Sequence, residues 1–509
     1  VGPKAYMNEK RKGSKEIREK VLKHVMIRRT RKEIEEYFSK DLDKQNLKFP
    51  KISNPNPVIY EFDSETEQAF NETIELIKDK FKKARYTPYL YLIEKPTDFE
   101  ITRQKNLGNF MKTMLVKRLE SSFHAFKKSI ARFIESHENF ISMINSGRVL
   151  ISKTLNVYEL MDEDNDEKIK KLIEEGKDLK EFKSSDFVPK FLKDIHDDLD
   201  VLLNIQNLWK DIKKDPKISK LISILKNNNH LKNNKIVMFT ESAETGMYLL
   251  KNLSPHFKSE VLFYSSQGGY LSEHDNIKKL NQKDARLLIR KNYDPMIKKE
   301  KRKDDIRILI STDVLAEGIN LHRSNINLNY DLPWNPIRVI QRTGRINRVG
   351  TDFDNLYIFN FFPTEKSDSE IKQKTNIISK IQAFHDCLGS DTKFLTETEE
   401  VETFNLFGSN LYESLNKKET YEEKEDLDTS ELKYLNVIRD VRDKNPELYG
   451  KIQLLPKKSR SARKSNIQDI SLVSFFRKGR LKKFLLSNKK DNLTNEITFI
   501  DAIKFLECD

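Results

Sequence analysis

Cysteine is almost absent from this chain: two residues, Cys387 and Cys508, in 509. With no CxxC pair, a cysteine-built zinc site is excluded, and two cysteines so far apart in sequence are not expected to build a disulfide framework, which fits a reducing, cytoplasmic setting. Long apolar runs are missing too. None reaches the roughly 18–20 residues that a membrane-crossing helix requires, so no membrane partner is expected. The opening residues, VGPKAYMNEKRKG, hold no apolar leader core. With Met7 inside the chain, they read as an internal segment of a longer protein. Nor does the phosphate-cradling loop G-x-x-x-x-G-K-[ST] occur. Gly-Lys appears at Gly176-Lys177 and Gly450-Lys451, and neither is followed by Ser or Thr. The acids Asp162-Glu163-Asp164 lie in a polar helical stretch rather than at the end of a strand. His124, His137, His196, His256 and His322 are scattered without ligand spacing, so no metal site is expected.

What is present is charge. Charged residues make up 34% and apolar residues 37%, and 93 Lys+Arg against 79 Asp+Glu leave +14. That excess fits a polyanion partner held by phosphate contacts, or simply a lysine-rich proteome. At roughly 100–200 residues per domain, the length allows about two to four domains.

Residues 14–40 carry apolar residues at helical spacing beside Arg28, Arg29 and Arg31, and Pro50, Pro55 and Pro57 then mark a linker. VIYEF (58–62) reads as a strand and 64–84 as an amphipathic helix. Residues 100–146 read as one or two long helices, with Leu107, Phe110, Met111, Met114 and Leu115 forming a core-facing stripe. Residues 160–200 are acidic and read as a protruding helical insertion. After Asp215-Pro216 the texture changes. KIVMFT (235–240), EVLFYS (260–265), IRILIST (306–312), INLNYD (326–331) and LYIFNF (356–361) alternate with helical stretches, and a charged segment fills 268–305. This pattern predicts an α/β fold, a parallel sheet covered by helices on both faces. In such sheets ligands bind at the carboxyl ends of the strands. From 365 to 450 the chain reads as helical and acidic. The basic run KKSRSARK (457–464) suits either a phosphate clamp or a surface loop, and short strands and a last helix end the chain.

Two segments carry the chemistry: ISTDVLAEGINL (310–321) and DLPWNPIRVIQRTGRINRVG (331–350). In the second, Pro336 opens a helix, and Gln341, Arg342, Arg345 and Arg348 follow. Steps of three from Arg342 project guanidinium groups from neighbouring helix faces. Gly344 leaves room for close backbone approach. Arginines without local acids make a poor core, and their planar fork suits a transferring phosphoryl group. Arg342 is expected to pair with an acid such as Asp313.

QRTGRINRVG resembles motif VI of superfamily-two helicases, STDVLAEGINL resembles motif V of their Swi/Snf-like branch, and KIVMFTES resembles motif IV. IRRT (27–30) is similar to the segment joining the two motor lobes, and MKTMLVKRLESS (111–122) to an element between them. The run from about 14 to 365 resembles bacterial, restriction- or defence-associated members of that branch. The resemblance implies a RecA-like second lobe (216–365) after an inter-lobe helix and linker (1–57). It also implies the start of the lobe with a long helical insertion (58–215) and a mixed α/β C-terminal extension (366–509). It implies that Arg345 and Arg348 are arginine fingers and that Gln341 senses nucleotide. Glu317, Gly318 and Arg342 would line the nucleotide cleft. Thr240, Ser242, Thr312 and Asp313 would meet the nucleic-acid backbone, as would Arg28 and Arg29. The implied cofactors are ATP and Mg2+, bound mainly by an N-terminal RecA-like lobe that this sequence lacks. The implied partners are that lobe and DNA, in duplex form. The expectation is therefore half of an ATP-dependent DNA helicase or translocase, inactive alone. The alternative is a non-catalytic nucleic-acid-binding or scaffolding module that kept the fold.

Overall fold

Short apolar runs that are hydrophobic at every position must be covered on both faces, and that sets the architecture. In this computed structural model the described residues are 31–45, 47–94, 96–152, 179–273, 276–316, 319–333, 336–365, 416–418, 432–456, 471–478, 481–488, 494–497 and 499–506. They divide into two units, one of residues 48–422 and one of residues 1–47 with 423–509.

The larger unit opens with an edge segment, β1 (Lys51–Ile52) and β2 (Asn56–Phe62). The break between them holds Pro55, which has no N–H to give a ladder. Helices α1 (Ser64–Glu75), α2 (Asp98–Ser121) and α3 (Phe123–Asn145) follow, then β3 (Arg148–Ser152), β4 (Leu179–Lys183), α4 (Lys190–Leu208) and α5 (Pro216–Asn227). Next come β5 (Ile236–Phe239), α6 (Ala243–Phe257), β6 (Val261–Ser265), β7 (Gly268–Glu273), β8 (Asn276–Leu280) and α7 (Gln282–Tyr293). The unit ends with β9 (Ile308–Ser311), β10 (Ile326–Asn329), α8 (Pro336–Thr343) and β11 (Asn355–Glu365).

Strands β11, β10, β5, β9 and β6 lie side by side in that order, all parallel. The edge segment adds to the far side of β11, and β7 and β8 extend the other side as an antiparallel pair. Alternate residues feed two cores. Ile236, Met238, Phe263, Ile310 and Leu328 pack under α1–α6. Val237, Phe239, Leu262, Leu309 and Ile358 pack under α7 and α8. This is the expected α/β sheet covered on both faces.

Residues 98–145 form two helices because Thr97 and Glu100 cap one end and Ser122 starts the second helix. Phe110, Met111 and Leu115 of the expected stripe are buried. Two hairpins depart from the expectation. Residues 179–183, read as helical, form β4 against β3; the stretch 153–178 lies outside the described residues. The charged segment after 268 holds β7 and β8, an edge strand whose exposed Lys278 and Lys279 hide its alternation. Gly268 allows the turn: its φ is +115°, and a Cβ there would meet Leu280 O at 2.5 Å.

Helix α6 presses so closely on β6 that Gly246 faces the Phe263 ring with no room for a methyl group. Gly246→Ala is expected to lower stability by about 1–3 kcal/mol through overpacking, read as a fall in thermal midpoint.

In the smaller unit, Asn436 donates to the carbonyl of Tyr37 at 3.4 Å. Ser471–Lys478, Leu481–Asn488 and Thr494–Ile497 form an antiparallel sheet there, followed by helix Phe499–Leu506. The basic run 457–464 lies outside the described residues. Among the described residues no helix is long and apolar enough to cross a membrane.

Candidate functional site

Two buried polar networks meet at the carboxyl ends of the central strands. The first surrounds Asp331, just past β10 and 3% exposed. Lys217 Nζ pairs with its Oδ1 at 2.9 Å. The Ser121 and Thr240 hydroxyls donate to Oδ2 at 2.7 and 2.5 Å, and the Glu241 amide donates at 3.0 Å. Burial pushes the Asp331 carboxyl up, but the Lys217 ammonium and the two hydroxyls outweigh it and hold it below the usual carboxylate range. Lys217 also donates to the carbonyls of Glu120 and Ser121, and its ammonium lies 4.2 Å from the Tyr330 ring centroid. Asp215 starts α5 by accepting from the Lys217 and Ile218 amides, and burial raises its carboxyl. The α2–α3 junction closes the network. Ser121 and Ser122 reach the Thr245 hydroxyl at 2.6 and 3.0 Å, and Arg118 donates to Ser242, the residue that caps α6.

The second network lies under α8. Arg342 is 0% exposed, a position arginine takes only when paired. Its Nε donates to Asp313 Oδ1 at 2.6 Å, and its Nη1 donates to Asp331 O at 2.8 Å and Asn329 Oδ1 at 3.3 Å. Asn329 passes the chain on to Asn360, and Asn327 donates to the Thr343 hydroxyl. The expected Arg342–Asp313 pair is therefore formed. Arg342 also joins the two networks, because the Asp331 carbonyl it binds belongs to the residue whose carboxylate anchors the first.

Helix α8 ends at Thr343, so Arg345 and Arg348 do not continue a helical face as their spacing predicts. Instead the Arg345 and Ile346 amides turn back to Arg342 and Thr343 at 3.1 Å. Ile346 drops into the core, and the Leu321 amide donates to the Arg345 carbonyl. Arg345 and Arg348 stand half-buried in these turns, and Gln341 is exposed. Arg348 donates to the Asn320 side chain and to Gly344 O. His322, nearby, is buried; desolvation and the Arg348 charge lower its pKa, so its ring stays neutral.

Four of the residues expected at the nucleic-acid backbone have buried side chains. Thr240, Ser242, Thr312 and Asp313 are each at most 5% exposed. The hydroxyl of Thr240 serves Asp331, that of Ser242 caps α6, and the carboxylate of Asp313 holds Arg342. Their side chains build the rim rather than face outward from it. Glu317, Gly318, Arg28 and Arg29 lie outside the described residues. Lys217 and Ser121 were not singled out as a pair. A lysine on an amphipathic helix carries no sequence signal of burial, and the only hint was the hydroxyl pair Ser121-Ser122.

Residues 216–350 match the family model described as helicase conserved C-terminal domain. A Bacillus subtilis (strain 168) protein named uncharacterized ATP-dependent helicase YqhH is 32% identical over 189 residues, which is 37% of this chain and 28% of that protein. The ATP-dependent RNA helicase uap56 of Schizosaccharomyces pombe is 41% identical over 70 residues, 14% of this chain and 15% of that one. The chain thus spans under a third of the length of these curated relatives. Among solved structures, the C-terminal part of the Fun30 ATPase domain aligns at 16% identity and a TM-score of 0.30, covering 74% of this chain and 98% of that one. Over residues 216–350 this chain is therefore similar to helicase conserved C-terminal domains.

Proposed function

We propose that this chain supplies the second lobe of an ATP-driven motor that moves along duplex DNA. The observation that carries the reading is the buried Arg342–Asp313 pair. It clamps α8 to the strand end, so that Gln341, Arg345 and Arg348 leave the helix from a fixed point.

In this reading Arg345 and Arg348 offer guanidinium groups to the γ-phosphate of ATP held on a partner lobe, and Gln341 reports its presence. The donors here are guanidinium and amide, which suits phosphate oxygens. Magnesium needs carboxylate ligands, and Asp313 is already committed to Arg342, so Mg2+ falls to the partner lobe. ATP supplies the free energy of each step; this chain contributes charge stabilisation and part of the grip on the DNA backbone.

Duplex DNA is favoured by the Swi/Snf-like form of residues 311–321. The relatives named RNA helicases match over shorter stretches than YqhH does. Binding to duplex DNA, single strands and duplex RNA at one fixed salt concentration tests this, since phosphate contacts make every affinity salt-dependent. Tighter binding to duplex RNA would overturn the DNA assignment.

The chain on its own is expected to hydrolyse ATP no faster than background, with or without DNA, because it has no phosphate-cradling loop. A coupled phosphate-release assay reads this directly. Robust DNA-stimulated turnover would sink the division of labour between two lobes.

A further inference from the structure

We propose that Arg85, on the flank of the α2–α3 pair, is a binding site for a phosphate of the nucleic-acid backbone. The inference rests on the nucleic-acid reading above and names a contact that lies outside the matched residues 216–350.

An arginine taken partly out of water normally keeps an acid beside it. Arg85, in the single turn Ala84–Tyr86, is partly covered, and among the described residues it forms no ion pair. Its Nε donates to the Ser136 hydroxyl at 2.6 Å. Aromatic rings hold the rest of the group: Cζ lies 4.4 Å from the Phe140 ring centroid and 5.7 Å from that of Tyr86. Burial lowers the Arg85 pKa, and the neighbour that offsets this is the Tyr86 phenol rather than a carboxylate. Arginine keeps its proton under such a shift, so a charge is stripped of water without gaining a counter-ion. His137 adds none, because burial first, and then the Arg85 charge, pull its pKa down to about 4.

The backbone beside Arg85 is held in an unusual form. Lys83 has a φ of +67°, in the left-handed region that side chains disfavour. Asp198 of α4 fixes that turn, its carboxylate accepting the Lys82 amide at 2.5 Å and the Ala84 amide at 2.7 Å. Asp194 and Asp197 take the Lys82 ammonium, each at 2.7 Å. The acids of α4 are thus committed to the turn and to Lys82. Strain secured by its surroundings in this way is a mark of functional positions.

Both Nη atoms of Arg85 lack a protein partner and face solvent. Two donors on a rigid planar fork match two oxygens of one phosphate. Ser136 stands roughly 21 Å along α3 from Ser122, where the helix leaves the strand ends. That is less than one turn of duplex, about 34–36 Å, so a duplex lying over the strand ends is long enough to meet Arg85 as a second hold.

Affinity for a duplex DNA oligonucleotide is measured at several salt concentrations, with thermal midpoints alongside. One phosphate contact contributes about 0.9 to the salt slope, so near 0.1 M salt Arg85→Gln is expected to bind about eightfold more weakly. Its midpoint should hold or rise, because the variant removes a charge that has no counter-ion. Ser136→Asp places a carboxylate beside the guanidinium within the chain itself. It should raise the midpoint and weaken DNA binding, since Arg85 then has a partner already. The exposed Lys299, between α7 and β9, is the charge-matched control, and Lys299→Gln leaves affinity unchanged.

Parent-like binding by Arg85→Gln, or an equal loss in Lys299→Gln, would overturn the assignment. A lowered midpoint in Arg85→Gln, together with parent-like binding by Ser136→Asp, would make Arg85 a packing residue and overturn it too. A polyglutamate peptide of matched charge is titrated in parallel; a loss in Arg85→Gln confined to the peptide would replace the phosphate by a carboxylate-bearing partner. A parent chain that binds no DNA would overturn the functional reading and this site with it, and the parent measurement alone tells that failure from the others.

Discussion

Arg348→Ala, and separately Arg345→Ala, lowers DNA-stimulated ATP hydrolysis by about 10³–10⁵-fold in a protein that carries both lobes, with DNA affinity nearly unchanged. The expectation follows from what a guanidinium does. It meets charge that develops on the transferring phosphoryl group, so its loss is felt in the transition state and little in the ground state. In the proposed reading DNA is held elsewhere, along the strand ends, so binding is expected to be spared. The position of both residues is set by the turns after α8 and, for Arg348, by its own contact with Asn320. Arg342 pins α8 to Asp313, the chain tightens after Thr343, and Arg348 reaches Asn320. Lysine at either position should not rescue, because a point charge cannot replace the planar fork. Initial rates at saturating ATP and DNA, with binding measured in parallel, make the check. Parent-level hydrolysis by either alanine variant would remove that residue from the assignment.

How much of this was legible in the residues alone varies with the kind of physics involved. The central strands were readable because burial on both faces leaves no room for charged residues: IVMF, VLFYS and ILIS stand out against a charged background. The Arg342–Asp313 pair was foreseeable because a guanidinium facing the sheet must find a carboxylate. The β7–β8 hairpin was not, since lysines that protect an edge strand look the same as a solvated loop. The end of α8 was equally hidden. Arg342, Arg345 and Arg348 keep helical spacing, but the Leu321 amide claims the Arg345 carbonyl and Ile346 turns into the core, neither of which local sequence reveals. The inward side chains of Thr240 and Ser242 depend on Asp331 and α2, which are distant in the chain. Strand-end position therefore locates the loop, while the groups on it that face outward are set by tertiary contacts.

Lys217→Met is expected to cost about 3–5 kcal/mol of unfolding free energy near neutral pH, measured by chemical denaturation. Methionine fills much of the same space, so the loss is electrostatic. Asp331 would keep its donors from Ser121, Thr240 and Glu241, but its charge would sit in the interior without a counter-ion. The pH dependence separates this from lost packing. In the parent, the folded-state pKa of Asp331 is depressed. Its contribution is therefore present above the unfolded value of about 3.9 and disappears as pH falls through the lower folded value. Without Lys217, burial dominates and the folded pKa rises above the unfolded one, so the variant gains relative stability by taking up a proton. The gap between parent and variant should thus be widest near pH 7 and narrow as the pH falls toward about 4. Adding Asp331→Asn to Lys217→Met should recover part of the loss at neutral pH, because a neutral amide leaves no charge to bury. A gap independent of pH, with no recovery in the double variant, would mean that Lys217 acts by its shape and that the Asp331 network does not depend on its charge.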